Sequence, residues 1–409
     1  MKAVFLDRDG VITKDPGFNR YDRLELLPGA AEAIKRLNEK YIVIVVTNQP
    51  VVARGIMTED EIMSRHERLA AELAKHGAKI DAFYFCPHHP EKHHADIPEH
   101  AMKYRIECAC RKPGTGMIDQ ACKDFDIDLP GSFVVGDRAS DIEMGKAAGC
   151  RTIFIGGGEA DYVASGILDA SKIINPDVTA VILAGGRGER LRPLTDTMPK
   201  PMIKIAGKPV LQHQIEILRD ADITDIVVCG SYLIDNIKEY FGSEWEGVHI
   251  EYPDEPDRLG SGGAIRNAYK YLKDADRFII INGDKMIGKF DFRRMIEFDL
   301  QKKCFATVLV RETDHPLDSD IIRLEGDRVI QFIGRGQDLY RTSNSGIIIA
   351  GQSLIKLIPE GVSNIEKDIL FRLVGEKDIY GFMLPSGWFV KDMGTPERLA
   401  SVRAIFEVS

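Results

Sequence analysis

The hydrophobic positions in the first part of this chain fall into short, dense runs that alternate with stretches of helical spacing. The runs are rich in Val, Ile and Phe and end at polar residues, a pattern typical of buried strands in a parallel sheet. They lie at residues 3–6, 41–46, 83–85 and 133–135. Because stretches of helical spacing alternate with these runs, we expect an α/β fold.

Two of the intervening stretches predict helices. Residues 28–40 are amphipathic and have proline near the start, a position that suits the first turn of a helix. Residues 58–76 begin with a capping box formed by Thr58 and Glu61, in which each side chain satisfies a backbone N–H of the first turn. The apolar face of this second helix comprises Ile62, Leu69 and Leu73.

A further dense apolar run at residues 179–184 stops at glycine and starts a second series of alternating elements. Since a new buried strand begins in mid-chain, we expect a second domain with its own Rossmann-like sheet, mixed because antiparallel strands are added to it. The predicted helices of this half are 209–221 and one from Gly260 to about residue 272, and the predicted strands are 226–229 and 278–281.

The domain boundary is predicted at residues 175–176, so that one domain covers residues 1–175 and the other residues 176–409. Glycines at 156–158 are expected to close the last strand of the first domain. Residues 160–174 have helical apolar spacing and are predicted to form its final helix.

Composition narrows the possible partners. The chain has 409 residues, of which 44% are apolar, and a net charge of −9. These values fit two or three globular domains and argue against nucleic acid or an anionic membrane as the main partner. The longest apolar runs are too short to span a bilayer, and no signal-peptide pattern opens the sequence. We therefore expect a cytoplasmic protein that acts on small molecules, with its oligomeric state left open.

Candidate chemistry appears where the strands of the first half end. Asp7 and Asp9 follow the first strand at i and i+2, so both carboxylates point into the crevice where α/β sheets bind ligands. Taken alone, this Asp-x-Asp-Gly sequence fits a polar turn equally well. Thr47 follows the second strand, and Asp137 and Asp141 follow a later one, where the alternative is a helix N-cap region.

The motifs FLDRDG, TNQ, ARG, CPHHP, CACRKP and VVGDRASD, in this order over residues 1–175, resemble the haloacid dehalogenase superfamily. Within it they look like the D-glycero-D-manno-heptose 1,7-bisphosphate phosphatases and the related histidinol-phosphate phosphatases. The resemblance implies that Asp7 attacks phosphorus and that Asp9 is the general acid and base. It further implies Mg²⁺ held by Asp7, the Asp9 carbonyl and Asp137, with Lys112 opposite.

The same resemblance assigns further roles around the phosphate. Thr47 would donate a hydrogen bond to the phosphoryl oxygens, and Asp141 would orient either Lys112 or a metal-bound water. The segment 15–18 would contact the rest of the substrate. Residues 50–52, Pro-Val-Val, depart from the smaller, more polar residues of the heptose phosphatases, which bears on the sugar preference. The predicted substrate-binding residues of this half are Asp15, Asn48, Gln49, Arg111 and Arg138.

A cysteine and histidine cluster predicts a structural zinc site. Three thiolates and one imidazole match a tetrahedral Cys₃His site, and the resembling phosphatases carry zinc there. Such a site would position Arg111 and Lys112, which follow directly, whereas the alternative is a set of reduced surface cysteines. His89 is an alternative to His88 as the fourth ligand. The predicted ligands are Cys86, His88, Cys108 and Cys110, and the remaining cysteines, at 122, 150, 229 and 304, are predicted to be core residues.

The strand at residues 179–184 leads into a loop whose three glycines let backbone N–H groups converge on an anion. Arg187, Arg190 and Arg192 add positive charge beside it. Lys200 lies between two prolines, on backbone that we expect not to be helical. Together these features predict a triphosphate-binding loop. The predicted nucleotide-binding residues are Leu183, Ala184, Gly185, Gly186, Gly188, Gly260, Ser261 and Gly262.

From residue 179 onward, LAGGRGERLRPLT with PKP resembles the sugar-1-phosphate nucleotidyltransferases, most of all the D-glycero-α-D-manno-heptose 1-phosphate guanylyltransferases. This implies transfer of a nucleotidyl group from an NTP to a sugar 1-phosphate, with Arg190 on the leaving pyrophosphate and Lys200 on the α-phosphate. Asp284 and Asp392 would carry Mg²⁺. The residues implied in sugar-phosphate binding are Asn344, Glu366 and Lys367.

Two features of this half leave alternatives open. Lys285 replaces the small polar residue usual in the family, and we expect it to weaken metal binding unless its side chain points away from Asp284. The alternative for Asp392 is a turn before a helix that has Pro396 at its first position. For the base, Asp254 or Glu255 could accept the two N–H donors of guanine, although acidic surface loops are common.

The sequence therefore predicts a bifunctional, Mg²⁺-dependent phosphatase and nucleotidyltransferase of activated-heptose synthesis with a structural zinc ion. Its predicted partners are sugar phosphates and an NTP, which we expect to be GTP. One alternative keeps both chemistries and changes the sugar, for example to a mannose or other hexose phosphate, or the nucleotide. Another makes the first half a zinc-stabilised module without catalysis.

Overall fold

The computed structural model divides the chain into two units, Met1–Pro176 and Asp177–Ser409. The structure describes residues 1–15, 24–90, 98–255, 258–313, 317, 319–334 and 341–406. Both units are mixed α/β structures, as the alternation of apolar runs and helical spacing indicates.

The first unit is built on a parallel sheet whose strands follow the spatial order β3-β2-β1-β4-β5-β6. Along β1, alternate side chains enter the two cores on either face of the sheet: Val4 and Leu6 enter one, Ala3 and Phe5 the other. These strands are β1 (Ala3–Leu6), β2 (Ile42–Asn48), β3 (Ala82–Cys86), β4 (Phe133–Gly136), β5 (Arg151–Ile155) and β6 (Tyr162–Ala164).

Helices cover both faces of this sheet. The helix predicted from the capping box is present, and Thr58 and Glu61 exchange the expected hydrogen bonds at its start. These helices are α1 (Ala30–Leu37), α2 (Glu59–Ala74), α3 (Gly116–Asp124), α4 (Ala139–Ala148) and α5 (Ile167–Ile174), and a 3₁₀ helix spans Glu99–Tyr104.

The end of the first unit differs from the sequence prediction. Residues 160–174 do not form one helix, because Tyr162–Ala164 is a strand that pairs in parallel with β5. The last strand therefore lies after the glycines at 156–158, which connect two strands. A run of three residues is compatible with either strand or helix periodicity, and pairing with a neighbouring strand decided between them.

The second unit contains a larger mixed sheet with the spatial order β11-β12-β10-β7-β13-β18-β15-β19-β17-β16. Two separate two-stranded sheets pair β8 with β9 and β14 with β20. The strands of this unit, in chain order, are β7 (Val178–Leu183), β8 (Lys204–Ile205), β9 (Lys208–Pro209), β10 (Asp225–Cys229), β11 (Glu244–Trp245), β12 (Val248–Glu251), β13 (Arg277–Asn282), β14 (Lys285–Ile287), β15 (Ala306–Glu312), β16 (Ile321–Glu325), β17 (Arg328–Gly334), β18 (Thr342–Ala350), β19 (Ile379–Met383) and β20 (Val390–Asp392).

At the centre of this sheet, β7 pairs in parallel with β10 and β13, and β18 runs antiparallel beside β13. The apolar run that opens the second half is therefore a buried parallel strand, and its side chains alternate between two cores. The α-helices are α6 (Val210–Asp220), α7 (Ile234–Phe241), α8 (Gly260–Asn267), α9 (Tyr269–Leu272), α10 (Phe292–Lys302), α11 (Gln352–Ile355), α12 (Phe371–Leu373) and α13 (Pro396–Phe406), and a 3₁₀ turn spans Glu189–Leu191 and a π-helix Ile365–Leu370.

Two local predictions in this unit are wrong. The helix that starts at Gly260 is interrupted at Ala268, which separates α8 from α9. Lys200 begins a single 3₁₀ turn, Lys200–Met202, rather than non-helical backbone. The proline that follows lies in the first turn, where its missing N–H removes no hydrogen bond, and Met202 N donates to Pro199 O at 2.8 Å.

Among the residues that the structure describes, no helix is both long and apolar enough to cross a membrane.

Candidate active sites

The first candidate site lies at the carboxyl ends of the parallel strands in the first unit. Because β1 and β4 are neighbours, the residues that follow them, Asp7 and Asp137, come together, and Asp7 N donates to Val135 O at 3.0 Å. Asp141, at the start of α4, completes a group of three carboxylates that each offer an oxygen within 4.8 Å of the others. The expected cluster is therefore present in the fold.

Lys112 closes this cluster from the opposite side. Its buried Nζ lies 2.8 Å from Asp7 Oδ1 and 2.5 Å from Asp141 Oδ1, and it donates to Val46 O at 3.0 Å. Burial alone would lower the pKa of Lys112, but the two carboxylates raise it by more, so the ammonium stays protonated. Of the two roles considered for Asp141, the geometry fits the one in which it orients Lys112.

The donor set fits a divalent cation. Burial, followed by the neighbouring Asp7 carboxylate, raises the pKa of Asp137, and Asp137 Oδ1 is buried without a hydrogen-bond partner in the described structure. One lysine does not neutralise three clustered carboxylates, and hard oxygen ligands suit Mg²⁺. Gly10, with φ of 91°, leaves room for the cluster, because a Cβ there would lie 2.2 Å from Asp137 Oδ2.

Asp9 is held firmly beside this cluster. Its carboxylate accepts hydrogen bonds from Gln49 Nε2 at 3.0 Å and from Thr13 Oγ1 at 3.1 Å. It also forms a bidentate ion pair with Arg8, at 3.0 and 2.6 Å. Burial raises the pKa of Asp9, but Arg8 and then Gln49 lower it by more, which favours the ionised carboxylate. No role was predicted for Arg8 from the sequence motifs. Its position between two predicted catalytic carboxylates, Asp7 and Asp9, is the sequence feature that could have indicated one.

The other predicted residues of this half divide into two groups around a cavity of ≈ 410 Å³. Thr47, Gln49 and Asn48 line its wall but also hold other groups: Gln49 donates to Thr47 Oγ1 at 2.9 Å, and Asn48 exchanges two hydrogen bonds with the Lys112 backbone. Asp15 and Arg138 pair at the exposed rim, at 3.1 Å. Residues 16–18 of the expected substrate segment lie outside the described residues.

The cysteine and histidine cluster is assembled as predicted for a metal centre. The Sγ atoms of Cys86, Cys108 and Cys110 lie 3.3–3.5 Å apart, and His88 Nδ1 lies 3.3 Å from Cys110 Sγ and 3.7 Å from Cys86 Sγ. These separations are far longer than a disulfide bond and close to the edge of a tetrahedron with Zn–S bonds of about 2.3 Å, roughly 3.8 Å. Of the two histidines considered, His88 supplies the ring nitrogen.

The zinc-type cluster is tied to the cavity through one hydrogen bond. Arg111, which lines the cavity, donates from Nη1 to the carbonyl oxygen of His88 at 3.1 Å. The cluster therefore holds the backbone that carries both Arg111 and Lys112.

The second candidate site is a cavity of ≈ 700 Å³ at the carboxyl ends of β7 and β13. The sequence-predicted residues in its wall are Leu183, Ala184, Gly186, Gly188, Arg190, Lys200, Ser261, Asp284, Asn344, Glu366, Lys367 and Asp392. Arg187 and Lys285 also line it, whereas Arg192 is exposed and pairs with Asp196 at 3.2 Å. Burial raises the pKa of Glu366, and the nearby Asp320 adds to this effect.

Lysine and carboxylate side chains meet in pairs inside this cavity. Lys200 Nζ hydrogen-bonds Asp284, and Lys285 Nζ lies 3.4 Å from Asp392 Oδ2. Burial raises the pKa of Asp392, but Lys285, then Lys200, then the Gly394 N–H and Arg398 lower it well below its usual range. The side chain of Lys285 thus points toward one of the two predicted metal ligands, not away from them. Two carboxylates in an open cavity still fit Mg²⁺, in competition with the lysines.

The glycine loop has the open surface that was predicted for it. A Cβ on Gly186 would meet no atom within 4 Å, and Gly188 has a φ of 63°, which favours glycine. Gly262 is different, because its N–H donates to Ser363 O at 2.8 Å and it lines neither described cavity of this unit.

A smaller cavity of ≈ 150 Å³ adjoins the glycine loop. Gly185, Gly260 and Cys229 contribute to its wall, and Glu255 is its one carboxylate among the described residues. Glu255 is 9% exposed, its Oε1 accepts from Leu259 N at 3.3 Å, and burial raises its pKa. Asp254 is exposed and does not line this cavity. The structure therefore separates the two acidic residues that the sequence left as alternatives.

Comparisons with known proteins find separate matches for the two parts of the chain. The nucleotidyl transferase family model matches residues 179–407, more than half of the chain, and a HAD-hydrolase-like model matches residues 109–178. The D-glycero-beta-D-manno-heptose-1,7-bisphosphate 7-phosphatase of Rhodopseudomonas palustris is 42% identical over 41% of this chain and 89% of its own length.

Other relatives match the second unit. The mannose-1-phosphate guanyltransferase of Candida albicans is 31% identical over 56% of this chain and 64% of its own length. A putative glucose-1-phosphate thymidylyltransferase from Bacillus anthracis covers 56% of this chain and 94% of its own, with 23% identity and a TM-score of 0.51, a likeness of fold. The chain therefore belongs to the nucleotidyl transferase family through its second unit and to the HAD-type phosphatases through its first, and it joins a hydrolase to a transferase.

Proposed function

We propose that this chain is a bifunctional enzyme of nucleotide-activated heptose synthesis. Its first unit removes the C7 phosphate from D-glycero-D-manno-heptose 1,7-bisphosphate, and its second converts the 1-phosphate to GDP-heptose and pyrophosphate. The observation that carries the proposal is that each unit assembles its own set of carboxylates and lysine at the carboxyl ends of its strands. The similarity of the first unit to a D-glycero-beta-D-manno-heptose-1,7-bisphosphate 7-phosphatase supports the choice of sugar.

In the first unit, Asp7 is the nucleophile. Its carboxylate oxygen attacks phosphorus as the bond to the sugar oxygen breaks. Asp9, once it has taken up a proton against the charge of Arg8, gives that proton to the departing oxygen. Asp9 then takes a proton from the water that cleaves the aspartyl-phosphate, the step that its ionised form suits. Lys112 and Thr47 hold the phosphoryl oxygens. Asp7, Asp137 and the Asp9 carbonyl would hold Mg²⁺, which supplies positive charge against the phosphate.

In this proposal zinc has a structural role. Cys86, His88, Cys108 and Cys110 would hold it, and the chelated loop keeps Arg111 and Lys112 in place. Arg111 and Arg138 bind the distal part of the sugar phosphate at the rim of the cavity.

In the second unit, the sugar 1-phosphate is itself the nucleophile, so the chain has to align and neutralise phosphates, not to remove a proton. The glycine loop holds the nucleotide, Arg190 the leaving pyrophosphate and Lys200 the α-phosphate. Asn344 and Glu366 bind sugar hydroxyls, and Lys367 binds the sugar phosphate. Asp284 and Asp392 would hold Mg²⁺, which supplies charge to the phosphates when bound.

The small cavity supports guanine as the base. Guanine presents two adjacent donors, N1–H and N2–H, and a carboxylate can accept from both. Adenine and cytosine offer a donor next to an acceptor, and uracil flanks its donor with acceptors. Glu255, buried in the wall of a cavity beside the glycine loop, therefore favours GTP over the other nucleotides.

A second sugar is worth testing because the relatives of the second unit include a mannose-1-phosphate guanyltransferase. Mannose and the heptose share the manno ring and differ only beyond C5. The decisive experiment incubates the protein with heptose 1,7-bisphosphate or mannose 1,6-bisphosphate, Mg²⁺ and each NTP, and identifies the products by mass. GDP-heptose is the expected product. Formation of GDP-mannose alone would mean that the substrate is a mannose phosphate and not the heptose, and an intact bisphosphate would exclude the phosphatase step.

The base assignment is tested with Glu255→Gln. The amide places a donor against a donor of guanine, so the preference for GTP over the other NTPs should fall by about 10- to 100-fold. Asp254→Asn is the control, because this neighbouring carboxylate is exposed. An unchanged preference in a folded Glu255→Gln protein would show that another group recognises the base.

A further inference from the structure

A buried arginine lies behind the general acid and base of the first unit. Arg8 is 1% exposed, and its guanidinium donates from Nε to Asp9 Oδ1 at 3.0 Å and from Nη2 to Asp9 Oδ2 at 2.6 Å. Two parallel hydrogen bonds from a rigid fork fix the plane of a carboxylate, which a single bond does not. Arg8 therefore sets the orientation of Asp9.

His66, in α2, completes the hydrogen bonding of this arginine. Its Nε2 lies 3.1 Å from Arg8 Nη1, and the residue is 4% exposed. Since a guanidinium N–H can only donate, Nε2 must accept, so the network assigns a neutral ring with its proton on Nδ1. Burial, and secondly the charge of Arg8, lowers the pKa of His66 to about 3, which agrees with a neutral ring.

The imidazole is fixed in turn by aromatic packing. Its ring stacks on Phe83 at 4.7 Å between centroids with an interplanar angle of 12°, and it meets Phe85 edge-on at 5.7 Å. Both phenylalanines belong to β3, so the sheet and α2 together hold the ring. A continuous set of contacts thus runs from β3 through the imidazole and the guanidinium to the carboxylate.

We propose that His66 and Arg8 are positioning residues that aim the Asp9 carboxyl group at the oxygen of the departing alcohol. The inference rests on the proposed phosphatase function. It gives α2 a part in catalysis although none of its residues lines the described cavity of the first unit. The sequence feature that indicates this role is a polar residue, His66, on the apolar face of α2 in register with Ile62 and Leu69.

A positioning role and a purely structural role for this pair differ in their dependence on the leaving group. Asp9 matters in the bond-breaking step only when the departing oxygen needs a proton, as an alkoxide does and p-nitrophenolate does not. A misaligned Asp9 should therefore slow the release of phosphate from a sugar ester and spare the release from p-nitrophenyl phosphate. A loss of packing would lower both.

The test compares kcat/KM for heptose 1,7-bisphosphate and p-nitrophenyl phosphate, because this constant reports the bond-breaking step. His66→Phe keeps the aromatic packing and removes the acceptor, and we expect a fall of about 10-fold for the sugar ester and less than about twofold for p-nitrophenyl phosphate. His66→Gln restores an acceptor and should recover most of the loss. His76→Phe is the control, because His76 is an exposed histidine just beyond the end of α2.

The thermal unfolding curve reports folding in every variant, and nucleotidyl transfer by the second unit controls for the amount of intact protein. Equal losses for both esters, no loss for either, or no recovery with His66→Gln would overturn the inference.

If His66→Phe does not fold, Arg8→Lys decides by the same criterion, since it keeps the charge and removes the two parallel hydrogen bonds of the guanidinium. If the wild-type protein hydrolyses other alkyl phosphates but not the heptose, only the proposed substrate fails, and the best of those esters replaces it. A wild-type protein that releases no phosphate from any ester would overturn the phosphatase proposal and this inference with it.

Discussion

The two candidate sites use the same residue types, lysine and aspartate, in environments that differ in exposure. In the first unit, the side chains of Lys112, Asp7 and Asp141 are 3%, 9% and 1% exposed. In the second unit, Lys200 and Asp284 are 9% and 29% exposed. The larger cavity surrounds the more exposed pair.

This difference follows from where the attacking group comes from. In the proposed phosphatase reaction the protein supplies the nucleophile, so its carboxylate must be fixed and desolvated while its charge is balanced by Lys112. In the proposed transfer reaction the substrates supply every reacting phosphate, so the protein provides space, hydrogen-bond donors and cations. If both proposals hold, the same two residue types serve two chemistries because their burial differs.

Asp7→Asn is expected to have the largest effect and tests whether the two sites act independently. An amide of the same size cannot act as the nucleophile, so phosphate release should fall by at least about 10⁴-fold while nucleotidyl transfer is retained. Phosphate assays and product analysis on the same sample measure both. Asp126→Asn, at an exposed position, is the control. Loss of both activities in a folded protein would mean that the two sites do not work independently.

The complementary change is Lys200→Ala. Removing the cation that contacts Asp284 and, in the proposal, the α-phosphate should slow nucleotidyl transfer by about 10²- to 10³-fold and leave phosphate release unchanged. Steady-state rates with saturating NTP and sugar 1-phosphate test this. Lys204→Ala, in the exposed part of β8, provides the matched control. A rate that stays within about twofold of the wild type would remove Lys200 from the catalytic group.

Loss of a zinc ligand should affect only the first unit. Cys108→Ser is expected to lower the bound zinc, measured by metal analysis, and to reduce phosphatase activity by about 10-fold or more, because the loop then no longer holds Arg111 and Lys112. Nucleotidyl transfer should persist. Cys122→Ser, outside the cluster, controls for the loss of a thiol. Full phosphatase activity in the metal-free variant would argue against the positioning role of zinc.

The smallest expected effect concerns Lys285, which pairs with Asp392 in the second site. In Lys285→Ala the ammonium no longer competes for this carboxylate, so the Mg²⁺ concentration that gives half-maximal transfer should fall about 3-fold. Direct Mn²⁺ binding provides a readout independent of turnover, and Lys289→Ala, at an exposed position, is the control. A weaker affinity for the metal would instead show that Lys285 helps to shape the site.

The sequence alone determined the alternation of strands and helices, and with it the division of the chain and the carboxyl-end position of each motif. These features are local: a dense apolar run predicts a buried strand, and a polar residue at its end faces the ligand crevice. Asp7, Asp137 and Lys112 could therefore be expected together from the order of the motifs along the chain. The short strand Tyr162–Ala164 could not be distinguished from helical spacing, since three residues carry too little periodicity.

Only the tertiary structure decided which of several equivalent side chains enters a site. It selected His88 over His89, buried Glu255 and left Asp254 exposed, and turned Lys285 toward Asp392. It also brought His66 to Arg8 across 58 positions of the chain. Local pattern determines the element on which a residue lies, whereas side-chain direction and contacts between distant elements depend on how those elements pack, which is why these four outcomes required the fold.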